Sequence, residues 1–224
     1  MRTLAIGDIH GCHSALRALA AFVPIRPDDC LITLGDYVDR GLDSRAVLDW
    51  LIDWKKRGRL VALRGNHEAM MLGAREDDEH RLEWLLCGGD ATLVSYSPSG
   101  DEGSLDHVPD AHWDFLESTK QLHQTTTHYY VHAAAIADIP LDEQPDWMAL
   151  WGAFNDVAAH ESGKIMVCGH TPQRSGLARS VGHAVCIDTH ACKRGWLTCL
   201  EPATGRYWQA NQQKETRTGW LDEE

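Results

Sequence analysis

Several features that would point elsewhere are missing from this chain. Its seven cysteines in 224 residues never form a C-x-x-C pair, which excludes a zinc knuckle and a thioredoxin-like redox motif. No apolar run approaches the ~20 residues that a membrane span needs. The chain enters strand-like sequence at Thr3, which leaves no room for a signal peptide before it. Basic residues are in deficit, 21 Lys and Arg against 33 Asp and Glu, for a net charge of −12. That balance argues against a nucleic-acid partner, which selects a basic footprint. There is no internal repeat and no low-complexity segment. Free thiols without an export signal lead to the expectation of a cytoplasmic protein.

What is present is an ordinary globular composition, 43% hydrophobic and 24% charged, with enough length to bury a core. The length favours a single domain over 1–224. Nine tryptophans are read as packing residues. Short apolar runs at Thr3–Ile6, 30–34 and 60–63 read as buried strands. Between them, Ala15, Leu16, Leu19 and Ala20, and then Val47, Leu48, Leu51 and Ile52, recur at helical spacing. Asp43 or Ser44 can cap the second helix and Gly58 can stop it. This alternation predicts parallel pairing and an α/β class.

After Glu68 the pattern changes. From about 69 to 124 the chain is polar, with helices expected at 68–74, 78–87 and 109–119 and a Ser-Pro-Ser-Gly-Asp-Glu-Gly loop at 97–103. This stretch reads as a helical insert, in the position of a lid. Strand signals resume at 128–132, Ile165–Cys168, 184–187, 197–200 and 206–209, and 211–224 reads as a loosely held polar tail.

Three segments carry the chemistry: Gly-Asp-Ile-His-Gly at 7–11, Gly-Asp-Tyr-Val-Asp-Arg-Gly at 35–41 and Gly-Asn-His-Glu at 65–68. Each sits where a strand-like run stops, and in α/β sheets functional loops gather beyond those carboxyl ends. Together they bring carboxylates (Asp8, Asp36), imidazoles (His10, His67), an amide (Asn66) and a guanidinium (Arg40) to one edge. His132, His170 and Asp188-Thr189-His190 end later strands. A lone histidine at a strand end usually has a structural role, and for His128 and His183 that reading stands. Two metals about 3.5–4 Å apart can clamp an attacking oxygen and a phosphoryl group. Such a pair needs a bridging carboxylate, for which Asp36 is placed. The mixed donor set suits Mn, Fe or Zn better than Ca.

On these residues the chain resembles the PPP-type metallophosphoesterases, and within them the small bacterial and phage (lambda-type) serine/threonine phosphatases. Trp84-Leu85-Leu86-Cys87-Gly88-Gly89 is similar to a W-L-x-N-G-G segment of that group. Cys168-Gly169-His170-Thr171-Pro172 and Ile187-Asp188-Thr189 match as well. The resemblance implies a four-layer mixed β-sandwich flanked by helices, and two divalent metals, Mn²⁺ first. One metal would be held by Asp8, His10 and Asp36, the other by Asp36, Asn66, His132 and His170. It implies a metal-bridging water as nucleophile, His67 as general acid, Asp39 as the residue that holds His67, and Arg40 and Arg64 as phosphate ligands.

The chain departs from the group in places. Ala153, in Trp151-Gly152-Ala153-Phe154, stands where an arginine is expected, with Arg174 as a substitute in reserve. His190 replaces a glycine, where it can narrow the pocket, touch substrate, add a ligand or point to solvent. The leading expectation is a phosphatase acting on phosphoserine, phosphothreonine and phosphotyrosine in proteins or peptides, or on a small phosphoester, with no nucleic-acid or membrane partner. The alternative is a diadenosine tetraphosphate or related dinucleoside polyphosphate hydrolase. Asp39 and Glu68 weigh against it, since symmetrically cleaving members tend to lack the first and carry Asp for the second. A third reading is a metal-loaded scaffold that binds phosphoproteins without turnover.

Overall fold

The computed structural model describes residues 2–97 and 103–221. Parallel strands β1 (Thr3–Ile6), β2 (Cys30–Thr33) and β3 (Arg59–Ala62) are joined by helices α1 (His13–Phe22) and α2 (Ser44–Arg57). Three antiparallel strands from the end of the chain, β9 (Leu197–Glu201), β10 (Arg206–Ala210) and β11 (Thr216–Trp220), extend this sheet on the far side of β1. A second sheet has the order β4-β5-β6-β8-β7, from β4 (Leu122–Gln124), β5 (His128–Val131), β6 (Ile165–Cys168), β7 (Arg179–Ser180) and β8 (Ala184–Cys186).

The period-two alternation of side chains makes these sheets a sandwich. Ala5, Ile32, Leu34 and Leu200 of the first sheet pack with Tyr130, Val167, Val185 and Ile187 of the second. The opposite face of the first sheet, with Leu4, Ile6, Leu31 and Cys199, packs on Leu16 and Leu19 of α1 and Val47 and Leu51 of α2. The opposite face of the second sheet, with Tyr129, Val131, Met166 and Cys186, packs on Ala149 of α7 (Asp146–Trp151) and on Phe154. Helix, sheet, sheet and helix layers result, as the motif resemblance implies.

Residues 66–117 are largely helical: α3 (Asn66–Gly73), α4 (Asp78–Trp84), a wide π-type turn at Leu85–Gly89, α5 (Asp90–Tyr96), a 3-10 turn at Leu105–His107 and α6 (Asp110–Glu117). The helix expected over 78–87 runs as α4 to Trp84 and continues as the π-type turn through Cys87, where Gly88 breaks the helical backbone at φ +105°. α5 lacked a readable stripe, since polar and β-branched residues interrupt it. Met71, Trp84, Leu93, Tyr96, Trp113 and Leu116 of these helices share the core of α1 and α2. The loop expected at 97–103 falls on residues 98–102, outside the described residues. No helix among the described residues is long and apolar enough to cross a membrane.

The stretch expected to be a loose tail instead forms the edge strand β11 across residues 216–220, while 222–224 lie outside the described residues. Arg217 explains its attachment. Its Nε donates to Gln209 Oε1 at 2.6 Å, its Nη2 to the Gly176 carbonyl at 2.7 Å, and its guanidinium lies 4.2 Å from the centre of the Trp196 ring. An edge strand with its polar residues facing water gives little hydrophobic signal in sequence.

One carboxylate fixes how the site loops sit. Glu68, at the start of α3 and fully buried, accepts backbone N–H groups from Asp36 (2.7 Å), Tyr37 (2.7 Å), Val38 (3.4 Å) and Gly65 (2.9 Å). It therefore joins the loop after β2 to the loop after β3. Burial and then the nearby Asp36 push its carboxyl up to about 8, against the pull of these N–H donors.

Two outcomes follow from this packing. Truncation after Asn211 should destabilise the fold by on the order of 2–4 kcal/mol, from the lost ladder and Arg217 bonds; an unchanged thermal midpoint would show that β11 adds nothing. Above pH 8, where the carboxylate is ionised and only accepts, Glu68→Gln turns an amide NH₂ toward N–H donors and should cost about 2–3 kcal/mol in a denaturant titration. An unchanged midpoint would mean that the cradle does not depend on an acceptor-only group.

Candidate active site

Six strand ends from both sheets converge. Asp8 and His10 follow β1; Asp36, Asp39 and Arg40 follow β2; Asn66 and His67 follow β3; His132, His170 and Asp188 follow β5, β6 and β8. The turns there are abrupt. His10, Asp36, Asp39, Arg40, His170 and His190 all take left-handed backbone, with φ between +45° and +71°. Such conformations cost of order 1 kcal/mol or more in a residue with a side chain. They aim side chains that a relaxed strand exit would scatter.

Two donor groups share Asp36. One comprises His10, Asp36 and His67, the other Asp36, His132 and His170; within each, the candidate ligand atoms all lie within 4.8 Å of one another. His10 Nε2 is 3.3 Å from Asp36 Oδ2, and His132 Nε2 is 3.4 Å from Asp36 Oδ1. Asn66 Oδ1 stands 2.9 Å from His132 Nε2 and 3.0 Å from His170 Nδ1. Asp8 is buried beside this cluster, and its carboxylate accepts the backbone N–H of His170 at 3.0 Å.

The donor chemistry fits a pair of divalent cations. The His132 Nδ1–H donates to the Leu34 carbonyl at 2.8 Å, so its Nε2 lone pair faces the lone pairs of Asn66 Oδ1 and Asp36 Oδ1. Burial depresses the pKa of His132. Burial, then His132, holds that of His170 down to about 4, so these imidazoles are neutral donors near pH 7. Lone pairs that converge with no proton between them repel unless a cation joins them. The carboxylates add to the demand. Burial, then Asp188 and Asp36, drives the Asp8 carboxyl well above its usual range. Asp36 is the exception: burial opposes its charge, but positive charge on the surrounding His132, His67 and His10 imidazoles, which a bound cation would replace, holds it well below the usual range. Asp36 would thus be shared by both cations, with His10 on one side and Asn66, His132 and His170 on the other.

His67 is held separately. Its Nδ1 is 2.6 Å from Asp39 Oδ2. Asp39 in turn accepts Trp84 Nε1–H at 2.9 Å and the Thr92 hydroxyl at 2.7 Å, and is fully buried. Two helices of the 69–124 stretch, α4 and α5, thus supply the support for an imidazole that α3 presents. Sequence reading found Trp84 through its Gly-Gly motif but not its bond to Asp39. Thr92 and the cradle role of Glu68 were not found, because neither has a local pattern.

Arg40 is exposed, and its Nη1 donates to His10 Nε2 at 2.7 Å. Its backbone N–H donates to the Gly88 carbonyl, and a Cβ on Gly88 would crowd the Arg40 side chain at 3.0 Å. Arg64, the second expected phosphate ligand, is engaged elsewhere. Its Nε donates to Thr119 Oγ1 at 3.0 Å, and its Nη2 donates to the Glu117 carbonyl at 2.9 Å and the Leu116 carbonyl at 3.3 Å. The open carbonyls at the end of α6 take this guanidinium as a cap. His190 and Arg174 line one cavity, whereas Ala153 is exposed and contributes no cation.

Comparison with known proteins agrees with this geometry. A 42% identity over 86 residues relates the chain to serine/threonine-protein phosphatase 1 of Salmonella typhimurium, covering 38% of each chain. A 39% identity over 99 residues relates it to a symmetrical bis(5'-nucleosyl)-tetraphosphatase of Photorhabdus laumondii, covering 41% of this chain and 34% of that one. Each match thus spans little more than a third of the relative's length. The crystal structure of a putative diadenosine tetraphosphatase superposes with a TM-score of 0.67 at 20% identity, covering 98% of this chain and 94% of that chain; it shares the fold. Residues 1–195 match the calcineurin-like phosphoesterase family, and with its shared-carboxylate cluster at the strand ends the chain belongs to that family.

Proposed function

We propose that this chain is a metal-dependent phosphomonoesterase acting on phosphoserine and phosphothreonine, and on phosphotyrosine, in proteins. The His67–Asp39 pair carries the reading. Release of a serine or threonine alkoxide is slow unless the leaving oxygen gains a proton as the P–O bond breaks. A nucleoside diphosphate leaves without that help. A buried imidazole, fixed by a carboxylate that Trp84 and Thr92 also hold, is what a poor leaving group requires. Glu68 carries no weight in this choice, because its oxygens are taken up by the loop cradle.

When bound, two divalent cations, Mn²⁺ first, supply Lewis-acid charge and lower the pKa of a coordinated water. The chain's residues do the rest. Asp8, His10 and Asp36 would hold one cation, and Asp36, Asn66, His132 and His170 the other. Arg40, at the open side of His10, binds and orients the phosphoryl oxygens. His67 delivers a proton from Nε2, while Asp39 accepts its Nδ1–H and fixes the ring so that Nε2 faces the leaving oxygen.

A second reading, dinucleoside polyphosphate hydrolysis, draws on Ala153. Without a guanidinium there, the grip on a terminal phosphate is looser, and the named tetraphosphatase relative keeps this substrate in view.

Two measurements test these readings. The chelator-stripped protein reloaded with Mn²⁺ should show a higher kcat/KM on a phosphothreonine peptide than on diadenosine tetraphosphate; the reverse order rejects the phosphatase reading. His67→Asn should lower kcat about 10²–10⁴-fold on the phosphothreonine peptide and far less on p-nitrophenyl phosphate, whose leaving group needs no proton. Equal losses on both would remove His67 from the acid role.

A further inference from the structure

A cavity of about 650 Å³ opens beside the cluster, between the loop after β6 and the loop after β8. Arg174, Lys193 and Arg194 line it, three of its nine lining residues, in a chain whose net charge is −12. All three side chains are exposed, and no carboxylate among the described residues lines the cavity or pairs with them. Cations concentrated in an otherwise acidic protein, with no partner within it, are charge held for something outside it.

The cavity is built from the site's own scaffolding. His170 and Asp188 end the two strands from which its loops leave, and Gln173 N–H donates to the Asp188 carbonyl at 2.8 Å to tie the loops together. The 190–196 turn is closed by Lys193 N–H and Gly195 N–H on the His190 carbonyl and by Trp196 N–H on the Thr189 carbonyl. A Cβ at Gly195 would run into the carbonyl oxygens of Thr189 and His190, so this turn needs glycine there. On the inner side, the His190 N–H donates to Asp188 Oδ1 at 3.0 Å. The cavity therefore borders the loops that leave the metal cluster at His170 and Asp188.

The nature of the occupant follows from what the walls offer. Trp196 is the aromatic lining residue, and the Arg217 guanidinium already stacks on its ring at 4.2 Å. A nucleobase needs an open aromatic face. Three separate cations on two loops suit carboxylates or phosphates spaced along an extended chain. We propose that this cavity is a specificity subsite for an acidic side chain flanking the phosphorylated residue of the substrate, with Arg174, Lys193 and Arg194 as its determinants. The proposal rests on the phosphoprotein reading above. It gives His190 a place, at the junction between the subsite and the metal cluster, and it accounts for tolerance of Ala153, since substrate is gripped here as well.

The test uses the Mn²⁺-loaded full chain and two phosphothreonine peptides that differ only in flanking residues, Asp and Glu in one and Ala in the other. The wild type should prefer the acidic peptide by about five- to tenfold in kcat/KM, mostly through KM, and the preference should shrink with added salt. The double variant Lys193→Ala, Arg194→Ala should lose most of the preference while its kcat/KM on p-nitrophenyl phosphate and its thermal midpoint stay unchanged. Equal turnover of both peptides by the wild type would overturn the subsite and leave the phosphatase reading intact. So would a preference that survives in the variant. Hydrolysis of p-nitrophenyl phosphate with neither peptide cleaved would reject the phosphoprotein reading itself. A loss confined to diadenosine tetraphosphate would assign the cavity to a polyphosphate chain and overturn the peptide proposal.

Discussion

Five carboxylates, Asp8, Asp36, Asp39, Glu68 and Asp188, are withdrawn from water around one edge of this sandwich. A buried charge must be compensated or neutralised. The molecule answers differently for each group. Glu68 takes four backbone N–H donors, Asp39 takes an indole, a hydroxyl and an imidazole, and Asp36 stands among three histidines. Asp8 has only the His170 N–H, while burial and neighbouring carboxylates raise its pKa; Asp188, held by the His190 N–H, is also raised, first by burial. The sheets, the strained turns and the helices after α3 can each be understood as parts that bring partners to one of these groups. The charge left over is what divalent cations would neutralise.

Much of this was legible in the chain itself. Strands β1, β2 and β3 announce themselves as short apolar runs, and each is followed at once by its ligand residues, so local pattern and site coincide. The late histidines were separable from His128 and His183 only because the early segments required more nitrogen donors. Those two do have other partners: His128 Nδ1 meets the Thr127 hydroxyl, and His183 Nε2 the Val157 carbonyl.

What was not legible depends on distance along the chain. Arg64 precedes the Gly-Asn-His-Glu run by one residue, and the motif resemblance implied a phosphate ligand there. Its direction is set by the end of α6, more than fifty residues away. The bond from Trp84 to Asp39 spans 45 residues and that from Thr92 spans 53; no spacing rule reaches so far. Edge strand β11 and the short α7 escaped for the opposite reason, since each is too polar or too brief to leave a periodic signal.

The left-handed turns constrain the future of this chain as well as its present shape. A β-branched residue can hardly occupy the backbone of His10, Asp36, Asp39, Arg40, His170 or His190, and most other replacements there would meet the same steric cost. At His10, Asp36 and His170 mutational drift is therefore closed off twice, once by donor chemistry and once by torsion angles. The exposed side chains of the 174–176 and 190–196 loops carry less of that burden. New substrate preferences can accumulate on those rims while the metal-binding turns stay fixed, which divides the molecule into a constrained engine and an adaptable mouth.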